Sequence, residues 1–155
     1  MSYFVSMEVQ GTPQITGRPV EMIGFVDAAK KAVIHNYANF NGRASRSEYW
    51  WCILFGFCIA IPAMILDGLT GIELIDAGAG VSYGPFYILT GLGFLLPGLS
   101  VMVRRLHDSG RSGWWYFIGL VPCVGPIILL VFLIQDGQPH SNEYGDVPTN
   151  TLPID

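Results

Sequence analysis

The residues of this chain best equipped for chemistry lie in two short polar segments. Val103-Arg104-Arg105-Leu106-His107-Asp108-Ser109-Gly110-Arg111-Ser112-Gly113-Trp114-Trp115 holds an imidazole beside a carboxylate, two hydroxyls and three guanidinia. Phe40-Asn41-Gly42-Arg43-Ala44-Ser45-Arg46-Ser47-Glu48-Tyr49-Trp50-Trp51 adds two more guanidinia and a second carboxylate. A carboxylate that orients an imidazole can support proton transfer, and a nearby hydroxyl can act as a nucleophile. The spacing argues against both. Neighbours on a helix such as His107 and Asp108 do not face each other, and Ser109 and Ser112 stand at no triad or elbow spacing. Those hydroxyls suit helix capping better. The expectation is a protein that is not an enzyme, with no catalytic residue assigned.

The arginines point to recognition. Arg43, Arg46, Arg104, Arg105 and Arg111 present planar forks that match phosphate or carboxylate, and no lysine stands among these five positions. They are candidate contacts for an anionic phospholipid headgroup or an acidic membrane-protein partner, where each basic residue near an anionic surface gains about 1 kcal/mol. The plainer alternative is that they only anchor helix ends. Ser45, Glu48, His107, Asp108 and Ser112 form a candidate structural polar cluster; if the helix ending here runs through Asp108, then Arg104 and Arg105 lie on its face at i−4 and i−3. Cys52, Cys58 and Cys123, like His35, His107 and His140, show no metal-ligand or redox spacing, so neither metal nor cofactor is expected.

The elements that must position these groups are apolar. Tyr49–Leu66, Pro85–Val103 and Trp114–Ile134 contain no Asp, Glu, Lys, Arg or His and hold 18, 19 and 21 residues. A hydrocarbon core of about 30 Å needs roughly 20 helical residues. With 51% hydrophobic and only 13% charged residues, the chain reads as an all-α membrane protein, a bundle of about three transmembrane helices with an N-terminal interfacial helix. The transmembrane domain covers residues 41–134, between a flexible extension at 1–21 with a surface helix at 22–40, and a polar tail at 135–155. Phe25, Ala28, Ala29, Ala32 and Tyr37 track the apolar stripe of that surface helix. The N-terminus lacks the apolar run of a secretory signal, so the first span would direct insertion.

Local signals sharpen the boundaries. Asn41-Gly42 marks a turn, and Ser45-x-x-Glu48 before an apolar run is a capping box that starts a helix at about Arg46. Asp108 or Ser112 can cap the third helix. Gly42-Arg43-Ala44-Ser45 and Gly110-Arg111-Ser112-Gly113 each precede a Trp pair, so Tyr49, Trp50, Trp51, Trp114 and Trp115 are expected as interface aromatics of one leaflet. Pro62, Pro97, Pro122 and Pro126 perturb the spans. Pro122-x-x-Gly125-Pro126 is the place where a re-entrant hairpin competes with a third crossing.

All eight Lys and Arg residues precede the first span or lie between the second and third; Asp67–Gly84 and Gln135–Asp155 have none. The positive-inside rule then sets the N-terminus and the second loop in the cytoplasm, and the first loop and the C-terminus outside. No ionisable group lies within a span, which counts against a proton or ion pump, and a pore would require a homo-oligomer. No nucleic acid is expected as a partner. The leading expectation is contact with lipid or membrane proteins through an arginine-rich cytoplasmic face; the alternative is a subunit of a small transporter or export system.

Three segments carry a resemblance: Phe40-x-Gly42-Arg43-x-Ser45-Arg46-x-Glu48-Tyr49-Trp50; Arg104-Arg105-Leu106-His107-Asp108-x-x-Arg111-Ser112-Gly113-Trp114; and Asp136-Gly137-x-Pro139-x-x-Asn142-x-Tyr144-Gly145-x-x-Pro148. Together, over about Ala38–Pro148, the chain resembles the bacterial inner-membrane proteins grouped as domain-of-unknown-function family 805. The resemblance implies a compact helical membrane domain in the bacterial inner (plasma) membrane, which the apolar stretches would make multi-pass, and supplies no activity. Met1–Met22 departs from the usual shorter pattern. The tail motif suits a defined turn, or a lid over the bundle mouth.

Overall fold

The computed structural model describes residues 22–78 and 80–148. The extension expected at 1–21, and the tail beyond 148, lie outside the described residues. Two long helices dominate: α2 (Arg46–Thr70) and α3 (Pro85–Asp108), packed against each other. At about 1.5 Å per residue each exceeds 35 Å, enough to cross a hydrocarbon core of about 30 Å. Most of their apolar side chains face away from the protein, including Leu54, Phe57, Ile61, Leu89, Leu92 and Leu95. Side chains of that kind demand an apolar solvent. The molecule is a helical membrane protein.

The ends of these helices follow from local chemistry. Ser45 adopts the extended N-cap conformation and its Oγ accepts from the Glu48 backbone N–H at 3.2 Å, as the capping signal predicts. Gly71, at φ +66°, closes α2 by donating its N–H to the Asp67 carbonyl at 3.0 Å. Pro85 opens α3, where its missing donor costs nothing. The donors that follow are capped from the partner helix: Asp67 Oδ1 accepts from Phe86 N–H at 3.0 Å and Oδ2 from Tyr87 N–H at 2.8 Å. A Cβ on Gly84 would collide with that carboxylate.

Between the two helices an antiparallel pair, β1 (Ile75–Gly78) and β2 (Val81–Tyr83), aligns Ile75 with Tyr83 and Asp76 with Ser82. This corrects the all-α expectation. Gly78 and Gly80, both at positive φ, permit the reversal, and β-branched and aromatic residues favour the strands.

The N-terminal helix is shorter than the expected 22–40. It comprises α1 (Phe25–Lys30), continued by one π-helical turn at Lys31–His35. It packs along α2 and buries Ala28, Ala29 and Ala32, with the Phe25 ring 5.8 Å from Trp51 and 6.2 Å from Phe55. Past it, Ser100 Oγ donates to the carbonyls of Asn36 and Asn39, and Tyr37 Oη donates to the Gly93 carbonyl at 2.8 Å.

The third apolar stretch is not one spanning helix. It is a 3₁₀ segment, Gly113–Leu120, followed by a break and then α4 (Val124–Ile134) of 11 residues, about 16 Å long. Cys123 at the break holds φ +66°, a conformation rare outside glycine. The two arms run back along each other: Trp115 meets Phe132 edge-on at 5.5 Å, Gly119 faces Leu129, and Gly125 sits against the Ile118 carbonyl so closely that a Cβ has no room. Pro122 and Pro126, which cannot donate, and Gly125 account for the turn. The end of α4 therefore returns to the end of α3 where the stretch began. The stretch expected as a third crossing is thus a hairpin, and it sets the tail beside the arginine segments.

The buried apolar cluster of Ala32, Ala44, Tyr49, Cys52, Val101 and Leu133 lies at that same end. Tyr49, expected at the interface, belongs to this core, whereas Trp50, Trp51, Trp114 and Trp115 are exposed.

Candidate functional site

The polar segments meet at this end around two carboxylates. Asp108, on the last turn of α3, is clamped by two guanidinia. Its Oδ1 lies 3.0 Å from Arg43 Nε and 2.9 Å from Arg43 Nη2, and its Oδ2 pairs with Arg105, one turn earlier on the same helix. The side chains of Arg43, Arg105 and Asp108 are at most 1% exposed. Glu48, on the first turn of α2 and equally buried, binds Arg104 Nη1 through Oε1 at 2.7 Å and Lys31 Nζ through Oε2 at 2.9 Å. Burying charge is tolerated only when it is paired and hydrogen-bonded, so these contacts fix the relative positions of α1, α2 and α3. Arg104 Nε and Nη2 have no hydrogen-bond partner among the described residues.

The tail completes the shell. Arg43 donates to the carbonyls of Gln138 at 2.6 Å and His140 at 2.7 Å, while Arg105 donates to Leu133 O at 3.1 Å and to Gln135 O. Gln138 N–H donates to the Asp108 carbonyl at 2.9 Å, and Asn142 Nδ2 donates to the His107 carbonyl at 2.9 Å. Gly137 passes the Asp108 carboxylate too closely for any Cβ. The Tyr144 ring stacks on His107, centroids 3.8 Å apart and the planes nearly parallel at 5°. Its phenol, hydrogen-bonded to the Glu143 carboxylate, is held above its ordinary range and stays protonated. Outside the shell, Arg46 pairs with Asp136 at 2.7 Å with both side chains about 40% exposed.

The arginine-rich face expected from the sequence is thus largely an interior. Arg43, Arg104 and Arg105 are sequestered with carboxylates and carbonyls and have no surface to offer. Arg46 and Arg111 remain reachable; Arg111 places its guanidinium 3.9 Å over the Phe132 ring. The i,i+3 pairing of Arg105 with Asp108 is as predicted, but Arg104 turns to Glu48. His107 and Asp108 do not form an acid–base couple: His107 Nδ1 lies 3.1 Å from the Gly42 carbonyl, and since that oxygen only accepts, Nδ1 carries the proton. Ser109 Oγ donates to Leu106 O, and Ser112 Oγ accepts from Trp114 N–H, a cap as expected. Asp136 and Gly137, which read as tail residues of the far side, belong to this site.

Each of the three segments that carry the family resemblance contributes to this centre: Arg43 and Glu48 from the first, Arg104 to Asp108 from the second, Gly137, Asn142 and Tyr144 from the third. The comparisons agree. A family model described as "Protein of unknown function (DUF805)" matches residues 37–146. The inner membrane protein YhaH of Escherichia coli K12 is 38% identical over 116 residues, covering 75% of this chain and 92% of the relative. The inner membrane protein YhaI of the same strain is 36% identical over 118 residues, covering 76% and 92%. The uncharacterized protein YiiR is 35% identical over 83 residues, covering 54% and 50%. No solved structure matches. The centre from Arg43 to Tyr144 lies within the residues that the family model matches, and the chain belongs to the DUF805 family of bacterial membrane proteins of unknown function.

Proposed function

We propose that this chain is a non-enzymatic protein of the bacterial inner membrane that works by contact with lipid or with other membrane proteins. In this reading α2 and α3 cross the bilayer, the 3₁₀–α4 hairpin is re-entrant, and the N-terminal region, the arginine centre and the tail share the cytoplasmic side. The observation that carries it is the distribution of polarity. Charged groups at the arginine end are mostly buried and paired, while the surface of the helices is Leu, Ile, Val and Phe, so what the molecule presents to partners is apolar. The names of the relatives support the inner membrane, and the basic residues at the arginine end support its cytoplasmic placement. His107 and Asp108 are engaged with Gly42, Arg43 and Arg105 and not with each other, which supports a role without catalysis.

Reporter fusions after Asp155 test the topology: a fluorescent protein should fluoresce there and a periplasm-dependent phosphatase should stay inactive. An active phosphatase restores a third crossing. Purification in mild detergent tests the role: bound phospholipid or a stoichiometric membrane partner is expected, whereas headgroup turnover abolished by His107→Ala would make the protein an enzyme.

A further inference from the structure

The N-terminal segment meets α3 at a place where that helix is incomplete. Gly93, Pro97 and Ser100 stand at i, i+4 and i+7 and so share one face of α3. Gly93 lies near the middle of the apolar stretch Pro85–Val103, about 15 Å from its end at about 1.5 Å per residue. Pro97 has no N–H, so the Gly93 carbonyl one turn earlier loses its helical partner. In hydrocarbon no water takes the place of that donor, and a bare carbonyl is costly. Pro97 and Ser100 are both fully buried.

What fills this notch comes from outside the helix. Tyr37 Oη donates to the Gly93 carbonyl at 2.8 Å, and Ser100 Oγ reaches the carbonyls of Asn36 at 3.0 Å and Asn39 at 2.6 Å. A phenol suits the task, because its ring is apolar and its hydroxyl brings a donor. The segment keeps its own polar groups occupied: Asn36 gives its N–H and its Nδ2 to the Lys31 carbonyl at 2.9 and 3.1 Å, and Asn39 Nδ2 donates to Asn36 Oδ1 at 2.8 Å. The π-helical turn Lys31–His35 runs from the Lys31–Glu48 ion pair to this contact. One residue fewer in that turn would rotate Tyr37 by about 100° relative to α1, so the wide turn is what aims the phenol at Gly93.

We propose, on the reading that α3 crosses the bilayer, that Asn36–Asn39 is a strap closing a notch that Pro97 cuts into α3, with Tyr37 as its clasp. Docked, the strap lets a proline-broken helix stand in lipid. It opens and closes as a unit separate from the tail, since its contacts are to α3 at Gly93 and Ser100 and not to residues 135–148.

A double-mutant cycle of Tyr37→Phe and Pro97→Ala tests this, read by hydrogen exchange of the full chain in nanodiscs at the Asn36 amide. Tyr37→Phe keeps the ring and removes the donor, and alone it should speed exchange about ten- to a hundredfold. In the Pro97→Ala background the restored helical N–H occupies the Gly93 carbonyl, and Tyr37→Phe should change exchange by no more than about threefold. The Gln138 amide should not respond in any variant. Equal acceleration by Tyr37→Phe in both backgrounds, or none in either, overturns the clasp. Acceleration that extends to Gln138 overturns the strap as a separate unit. A phospholipid carrying a nitroxide at mid-chain checks the crossing independently, and should broaden the resonances of Leu92 and Leu96, which face away from the protein. Sparing of both overturns the crossing of α3, while the cycle still decides whether Tyr37 serves the carbonyl that Pro97 frees.

Discussion

Asp108→Asn tests whether the arginine centre holds the tail. Asp108 gives Oδ1 to Arg43 and Oδ2 to Arg105, with all three side chains at most 1% exposed. Asparagine keeps the shape but presents an amide NH₂ where a guanidinium needs an acceptor, and leaves two buried cations without a counter-charge. Breaking a buried ion pair by removing one partner costs about 3–5 kcal/mol. At about 1.4 kcal/mol per tenfold change, that is a population shift of roughly 10² to 10³ or more toward chains with the tail detached. Hydrogen exchange in nanodiscs reads it at the Gln138 amide, which donates to the Asp108 carbonyl at 2.9 Å. Protection there should fall by about two to three orders of magnitude in Asp108→Asn, while amides in the middle of α2 change little. Arg46→Gln supplies the scale: its pair with Asp136 is about 40% exposed at both ends, and such pairs are worth about 0–1 kcal/mol, a change of no more than about fivefold. If Asp108→Asn moves protection no further than Arg46→Gln does, the centre is not what fastens the tail.

Two further outcomes follow from the geometry. Gly137→Ala forces a methyl against the Asp108 carboxylate and should cost about 1–3 kcal/mol, seen as faster trypsin cleavage at Arg111 and looser tail amides; unchanged cleavage would show that the tail can shift aside. Asp67→Ala removes the acceptor of the Phe86 and Tyr87 N–H groups at the start of α3 and should cost about 1–2 kcal/mol, read as increased exchange of those two amides with the Gln138 amide unaffected.

What could be read in advance was local. The Ser45 cap, the start of α2 and the i,i+3 contact of Arg105 with Asp108 each depend on residues within one helical turn, and each stands. The partners of Arg43 and Arg104 are 65 and 56 positions away, and no periodicity encodes them. Asp67 and Asp136 stand in segments without a base, and a carboxylate there carries no signature of its target; one caps the neighbouring helix and the other pairs with Arg46. The absence of lysine and arginine from the tail invites its placement on the far side. Orientation is carried by basic residues, however, and a segment with none reports little about its own side. The Pro122-x-x-Gly125-Pro126 break is visible in the sequence, but the cost of broken backbone in lipid favours a crossing there, and the pairing of Trp115 with Phe132 and Gly125 with the Ile118 carbonyl reveals the reversal.

That reversal has a consequence for biosynthesis. Arg43 and Arg105 are translated long before Gln135, Gln138 and His140, the carbonyls that finish their coordination. A ribosome that stalls at any point before the tail emerges leaves a product with guanidinia already committed to the interior and ligands missing. Such a fragment is open at the face that Gln135–His140 would cover, so the closing segment of the fold is also what seals its charged interior.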